Sequence, residues 1–454
     1  MARLLRPMRT TLPPPPACLL PTMSVAESLS PPEETVDTGE PTIWEGLPVL
    51  ATGTMVILST VLLSPGLDKL VKHLEEQPES FASPDVLGKV LVTAPAAVVA
   101  LLAVFGGYLL DRVGRRPVLL AGLAIFGIAG CAGGLLSSPV ALLGSRIALG
   151  LGLACILLSS TTLIGDYFDG HERRKMLGWQ IAMISTTSVV CLFMAAFLVE
   201  YSWRYPFAIY GAAFALLPWA WAQVPEPSDE ATSDDTAEED DDSGSIAWHT
   251  IGLIYGGSFL ALAIFHLATT QIPGYLEELG YGSPYMSAAI IGGMSVIGIP
   301  SSLLFDKVRD KISGRTLLLI VFGVGAVGFA IAGSKQAMWT LLVGLSVFSL
   351  PYGFRTPAFN GWLLDEAPAK YRGRLMGGLT AATFAGIFCS PLISNPLNEA
   401  VGMPTVILIA AVCQALFAAA FGYFALVRGK GESEREKGSS SAEMNGERLE
   451  RRAA

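Results

Sequence analysis

Residues 107–116 read Gly107-Tyr108-Leu109-Leu110-Asp111-Arg112-Val113-Gly114-Arg115-Arg116. No charged residue interrupts the chain between Lys89 and Asp111, or between Arg116 and Arg146. Two apolar runs joined by a short charged turn are what two membrane-crossing helices and their connecting loop look like, since a bilayer core takes roughly 20 apolar residues per helix. Gly106 and Gly107 remove side chains where a helix approaches a neighbour, Gly114 permits a tight turn, and Asp111 at the membrane edge suits a helix N-terminus or an arginine. The pattern returns later in the chain. Ser302-Leu303-Leu304-Phe305-Asp306-Lys307 again ends an apolar run on an acid and a base, and Asp166 leading to Glu172, Arg173 and Arg174 is echoed by Asp365 leading to Tyr371, Arg372 and Gly373. A duplicated six-helix unit accounts for both echoes, and such repeats are how secondary transporters build two alternating states around one midplane site.

Outward from this loop, apolar runs begin near Trp44, Lys89, Pro117, Val140, Gly178, Pro206, Trp248, Pro284, Thr316, Met338, Gly377 and Met403. The expected organisation is a disordered N-terminal tail over 1–42, a six-helix bundle over 43–223, an acidic linker over 224–246, a second six-helix bundle over 247–427 and a disordered tail over 428–454. Composition agrees: 454 residues that are 52% hydrophobic and 15% charged, with mean hydropathy +0.51, do not make a soluble globule. The net charge of −9 owes much to the stretch Asp229–Asp242, so no nucleic-acid partner follows. Met1–Ala26 carries Arg3, Arg6 and Arg9 and the run Pro13–Pro16; it reads as a disordered tail or an extension ahead of a start at Met23, with a transit peptide as the lesser alternative. Cys131, Cys155, Cys191, Cys389 and Cys413 lie in apolar runs and read as small hydrophobes; Cys18 lies in the tail.

Basic loops resist translocation. With the N-terminus inside, Arg112, Arg115 and Arg116, Arg173, Arg174 and Lys175, Lys307, Arg309, Lys311 and Arg315, and Lys370, Arg372 and Arg374 all fall on the cytoplasmic side, against Lys69, Lys72, Lys89, Arg204 and Lys335 on the other. Both termini and the linker are then cytoplasmic, and the lipid bilayer is the solvent of most of the surface.

Residues 107–116 resemble the loop 2-3 signature GxLxDRxGRR of the major facilitator superfamily. The resemblance covers roughly Trp44 to Arg428 and implies an all-α membrane fold of twelve helices in two pseudo-symmetric six-helix bundles, a small-molecule substrate and alternating access by a monomer. It also implies gating roles for Gly107, Asp111, Arg112, Gly114, Arg115, Arg116, Asp166 and Asp306, with Asp111 meeting the start of helix 11 near Gly377 and Gly378, and Arg115 pairing with Asp166. Arg146, Gly150, Gly152 and Ala154 look like the helix 4 pattern RxxxGxGxA, whose arginine is associated in relatives with proton movement; snorkelling to the interface is the other reading of Arg146. Helix 5 departs from the drug:proton antiporters. Trp203-Arg204 is present, but Val190, Cys191, Met194 and Ala195 stand where GPxxGG would be.

Arg355 lies in Leu350-Pro351-Tyr352-Gly353-Phe354-Arg355-Thr356-Pro357, about ten residues and roughly 15 Å from Asp365, near the bilayer midplane. An arginine there is a substrate or coupling group, or half of an internal clamp. His266 is the histidine deep in a span, a proton relay or a hydrogen-bonded structural group. By resemblance Thr54, Ser59, Ser159, Thr162, Gln271, Tyr352, Arg355 and Asn360 line the cavity; the serines and threonines serve equally well as packing contacts. No Asp or Glu falls mid-span, so the core is expected to be electropositive. The leading function is a secondary active efflux permease, with protons as the candidate coupling ion, in a bacterial inner membrane. An organic-anion or metabolite carrier using Arg355 as counter-ion is the alternative, and a transporter-like receptor without flux a third. No catalytic motif, metal cluster, cofactor site or phosphate-binding loop is present in the sequence, so neither an enzyme nor an ATP-driven pump is expected.

Overall fold

The computed structural model describes residues 43–77, 83–105, 110, 112–168, 170–225, 247–309, 311–335, 337–368 and 371–425. Residues 1–42, most of the acidic linker (226–246) and the C-terminal tail from 426 onward therefore lie outside the described residues, as do Cys18, Gly107, Asp111 and the side chain of Asp306. Among the described residues, ten helical stretches are long and apolar enough to cross a bilayer. The first is composite: α1 (Ile43–Thr52), α2 (Met55–Val61) and α3 (Leu67–Glu75), with a 3-10 turn at Ser64–Gly66 where Pro65 and Gly66 interrupt the α-helical bonding. Then come α4 (Pro84–Ala103), α5 (Arg115–Ala132), α6 (Pro139–Tyr167) and α7 (Gly170–Tyr201).

The sixth apolar run is a 3-10 segment, Tyr205–Gly211, continued by α8 (Ala212–Gln223). After the linker follow α9 (Trp248–Glu278), α10 (Pro284–Leu303) with the short α11 (Phe305–Arg309), and α12 (Gly314–Gly333). The tenth run is broken into α13 (Met338–Ser349), a 3-10 turn at Tyr352–Phe354 and α14 (Arg355–Glu366), the break falling at Pro351, which has no N–H to give. The last described helices are α15 (Arg372–Val401) and α16 (Met403–Ala425). With the two broken runs counted, the protein is an integral, multi-pass membrane protein of two six-helix sets.

The second span differs from its sequence-based start at Lys89. It begins one turn earlier, because Ser83 is extended (ψ 137°), Pro84 takes the first helical position and Asp85 follows in the first turn, where an anion is favoured. Asp85 and Lys89 thereby become i,i+4 neighbours on one helix.

Glycines set the tightest helix crossings. On α5 and α6, a Cβ on Gly122 would stand 2.9 Å from the carbonyl oxygen of Gly152, and one on Gly152 only 2.8 Å from that of Gly122. The corresponding pair of the second set, α12 and α13, crosses in the same way: a Cβ on Gly328 would stand 2.5 Å from the Gly344 oxygen. Backbones that close exchange dispersion over their length and supply the packing that the hydrophobic effect does not supply inside lipid. The two sets meet where α4 lies along α15 and α7 along α10. Large apolar side chains such as Leu135 (86% exposed) and Trp339 (77%) point outward, a surface that only a lipid solvent tolerates.

Because Gly344 has backbone on its open side, Gly344→Val is expected to cost about 1–3 kcal/mol through overpacking. Gly274→Ala, with nothing within 4 Å of the added carbon, is expected to be neutral. Thermal unfolding of the purified variants followed by size-exclusion chromatography checks this; equal melting of the two would refute the crossing argument.

Candidate functional site

A polar cluster joins the two helix sets at the arginine-poor end of the bundle. Lys89 on α4 is 7% exposed, and its Nζ donates to Asp85 Oδ2 at 2.9 Å, to Gln271 Oε1 on α9 at 2.9 Å and to Asn395 Oδ1 on α15 at 3.0 Å. An ammonium has three N–H groups, and here each has an acceptor. The amides close the ring: Asn395 Nδ2 donates to Asp85 Oδ2 at 2.9 Å, while Gln271 Nε2 donates to Asn395 Oδ1 and to Ser394 Oγ, both at 2.6 Å. A buried lysine is tolerated because its charge is paired and every donor is used.

Neighbouring contacts reinforce this end. Lys72 on α3 lies 3.7 Å from Glu277 on α9, again across the two sets. Lys69 Nζ donates to the carbonyls of Val199 (2.8 Å) and Glu200 (3.2 Å), a cation placed at the C-terminus of α7 where the helix dipole favours it. Trp203 stacks on His73 (4.7 Å) and carries the Arg204 guanidinium (4.5 Å), whose Nη2 reaches Ser137 Oγ at 2.7 Å. Beneath, Val61, Leu192, Ala196, Ala288 and Ile291 form an apolar seal between α2, α7 and α10.

At the opposite, basic end, Gly114 takes φ +89°, a conformation that a glycine accepts without cost, and turns the chain into α5. Arg115 Nε then lies 3.1 Å from Asp166 Oδ2 at the foot of α6, Arg116 Nη2 donates to the Trp221 carbonyl at 2.6 Å, and Arg112 is exposed. In the second set Arg315, which also follows the glycine that opens its helix, lies 3.2 Å from Glu366 at the foot of α14, and Arg309 lies 3.3 Å from Asp365. The same staple thus occurs once in each set. The carry-over onto Gly107, Asp111 and Asp306 falls outside what is described, although Gly377 of α15 does approach the last turn of α4 closely: its Cβ would meet the Ala103 oxygen at 2.9 Å.

Arg146 is buried rather than snorkelling. Its guanidinium sits over Phe207 (4.7 Å) and Tyr210 (5.0 Å), and Nη1 donates to the Tyr210 hydroxyl at 3.0 Å. The side chain fills the seam between α6, the sixth span and Gly133 at the end of α5, so it clamps three helices of one set. His266 is buried with Nδ1 3.2 Å from the Leu262 carbonyl. Of the polar cavity candidates, Thr54, Ser59, Ser159 and Thr162 each donate to a carbonyl about one turn back on their own chain segment, which satisfies the hydroxyl hydrogen locally. Gln271 belongs to the Lys89 cluster. Asn360 is half-buried, and Tyr352 and Arg355 stand together, the guanidinium 5.0 Å from the ring centroid. The five span cysteines are free thiols; Cys155 is buried and the other four half-buried.

Sequence reading alone missed Asp85, Lys89, Ser394 and Asn395. A signal was available, since Pro84-Asp85 is a helix start that puts Lys89 one turn inside, and Asn395 is an amide between Pro391 and Pro396 in an apolar run.

A family model described as Major Facilitator Superfamily matches residues 49–334 and 310–451. The chain belongs to that superfamily. Like its other members it is a transporter, a secondary carrier of small solutes. Similar proteins include the quinolone resistance protein NorA of Staphylococcus aureus (strain MSSA476), 24% identical over 312 residues, covering 68% of this chain and 80% of that one. The cis,cis-muconate transport protein of Acinetobacter baylyi is 25% identical over 310 residues, 62% of this chain and 71% of the other. Among solved structures, a D-xylose-proton symporter superposes with a TM-score of 0.68 at 20% identity, over 83% of this chain and 97% of its own. The human organic anion transporter MFSD10 gives 0.64 at 16%, over 83% and 99%. These superpositions carry the superfamily fold.

Replacing Lys89 by Met leaves Gln271 Oε1 without its donor, Asn395 Oδ1 with the Gln271 amide alone and Asp85 without its counter-charge, at about 1–3 kcal/mol, or about 5- to 150-fold in the population of the closed arginine-poor end. In a cysteine-free background, maleimide labelling of Ala288→Cys, buried in the apolar seal, should rise when Lys89→Met is added. Unchanged labelling would show that the cluster does not hold that end shut.

Proposed function

We propose that this carrier exports small organic solutes from a bacterial cytoplasm, in the inner membrane, as a monomer with both termini inside and protons as the coupling ion. The observation that carries the reading is the Asp85–Lys89–Gln271–Asn395 cluster, which holds α4, α9 and α15 together at the end that the distribution of basic residues puts outside. In this reading the cluster and the apolar seal of Val61, Leu192 and Ala288 are the outer gate. The state described is then the one closed at the outer end. Parting of the cluster, with the two helix sets rocking about a midplane site, then releases the solute outside. The Arg115–Asp166 and Arg315–Glu366 pairs keep each set rigid as it moves, while the loop residues Gly107, Asp111, Arg112, Gly114 and Arg116, with Asp306 in the second set, act at the cytoplasmic closure. The efflux direction is supported by the likeness to the quinolone resistance protein. Arg146 and His266 are the coupling candidates.

A second reading, a carrier that moves an organic anion down its gradient, is favoured by the pairing of Arg355 with Tyr352 in the broken tenth span. The test is accumulation of one cationic and one anionic fluorescent dye in efflux-deficient bacteria expressing the chain, with and without a protonophore. Export lowers accumulation of at least one dye, the protonophore restores it, and Lys89→Met, with its gate unlatched, loses most of the effect. Anionic dye that the chain merely equilibrates across the membrane, with no gradient built against the protonophore control, would replace export by passive anion carriage. Accumulation that the chain raises would reverse the direction.

A further inference from the structure

Tyr352 and Arg355 continue one face of the tenth span. Leu341, Leu345 and Phe348 precede them at helical spacing and are buried, while Trp339, Val343 and Leu350 on the other face are exposed to lipid. The arginine therefore points into the bundle. There it has no carboxylate partner among the described residues: Nη2 donates to the adjacent Thr356 hydroxyl at 2.8 Å, and Nε, shielded from solvent, donates to nothing. The Tyr352 hydroxyl is likewise shielded and unpartnered, and so is His266 Nε2. The residues that carry these atoms belong to one set of rings: Phe265 lies parallel to Tyr352 at 4.8 Å (17° between planes), Phe348 meets Tyr352 at 5.2 Å, His266 meets Phe265 edge-on at 5.5 Å, and the Arg355 guanidinium lies 5.0 Å from the Tyr352 ring. Arg355 and Tyr352 are half-buried and Thr356 is exposed, so the cluster has a way in.

Lys89 is balanced by Asp85, and Arg146 is walled in by Phe207 and Tyr210; Arg355 instead has an unused N–H beside a second unused donor and an exposed neighbour in Thr356, an arrangement open to a visiting anion. We infer that Arg355, Tyr352 and the Phe265–Phe348 ring set form the substrate site and that it takes aromatic carboxylates. The carboxylate accepts hydrogen bonds from Arg355 Nε and the Tyr352 hydroxyl, a charge-assisted arrangement that a neutral or cationic solute does not satisfy. The flat body of the ligand lies against the rings, where offset or edge-on stacking selects an aromatic ring over an aliphatic one of the same size. His266, with Nδ1 facing the Leu262 carbonyl, presents Nε2 as the acceptor for any hydroxyl the ligand carries. This rests on the alternating-access reading above and adds the substrate class to it; it does not depend on the direction of transport.

The test is binding of benzoate, 1-naphthoate, cyclohexanecarboxylate, benzyl alcohol and benzylamine to the purified full chain in detergent, by thermal stabilisation and by titration calorimetry. The two aromatic acids are expected to bind, 1-naphthoate the tighter, with the other three weaker by about tenfold or more. Tyr352→Phe should weaken benzoate several-fold and Arg355→Lys by about tenfold or more, both with the wild-type elution profile, while Thr380→Ser, away from the cluster, changes nothing. Binding of benzylamine or benzyl alcohol as tight as that of benzoate, benzoate binding unaltered in Tyr352→Phe and Arg355→Lys, or no binding of either aromatic acid by folded protein would each overturn the assignment. Dye export that persists without carboxylate binding would sink this inference alone; carboxylate binding without any flux would sink the export reading and leave the site standing.

Discussion

Inside hydrocarbon there is no water to bond a free peptide group, so every backbone N–H and carbonyl of a span must be satisfied from within the protein. That constraint makes the chain helical throughout its apolar runs, and it also decides where the helix is allowed to fail. The breaks at Ser64–Gly66, Tyr205–Gly211 and Tyr352–Phe354 are all 3-10 turns, which keep most of the bonding. At the third, the Gly353 N–H finds the Ser301 hydroxyl of α10 at 3.0 Å. Irregular backbone thus sits where another helix covers it, and in the tenth span Tyr352 and Arg355 keep to the inward face across the break.

With chain geometry settled in this way, polar side chains are divided between two duties. Arg146, Arg115 and Arg315 are consumed by contacts within one helix set, through Tyr210, Asp166 and Glu366. Lys89 and Lys72 are spent between the sets. The first kind makes each six-helix unit stiff. The second bridges the sets at one end, and in the proposed export reading it is what has to part for the units to move.

Much of this was legible beforehand. The apolar runs and the loop 2-3 signature read directly as twelve spans of one superfamily, because lipid imposes its demands on composition and length, which a sequence displays openly. The site was legible only in part. Arg355 and Tyr352 stand out as charge and proline in an apolar run, but the partners of Lys89 lie on α9 and α15, far away in the chain, and nothing local in Gln271 or Asn395 says that they meet. Arg146 had two readings for the same reason: whether a guanidinium reaches for headgroups or for Tyr210 depends on the packing of a helix that begins about sixty residues on. The start of α4 was misplaced by a turn, and that single turn hid Asp85.

The ring around Lys89 has arms of two kinds. Gln271 and Asn395 belong to the opposite helix set, whereas Asp85 stands one turn away on the same helix. When the sets separate, the lysine therefore keeps its counter-charge and gives up only neutral amides, which can turn to water. If this cluster is the outer gate, its ion pair travels with one side and parting it exchanges amide hydrogen bonds for water, while the exposed Lys72–Glu277 pair, already solvated, separates beside it. Such a closure is firm at rest and still inexpensive to cycle many times.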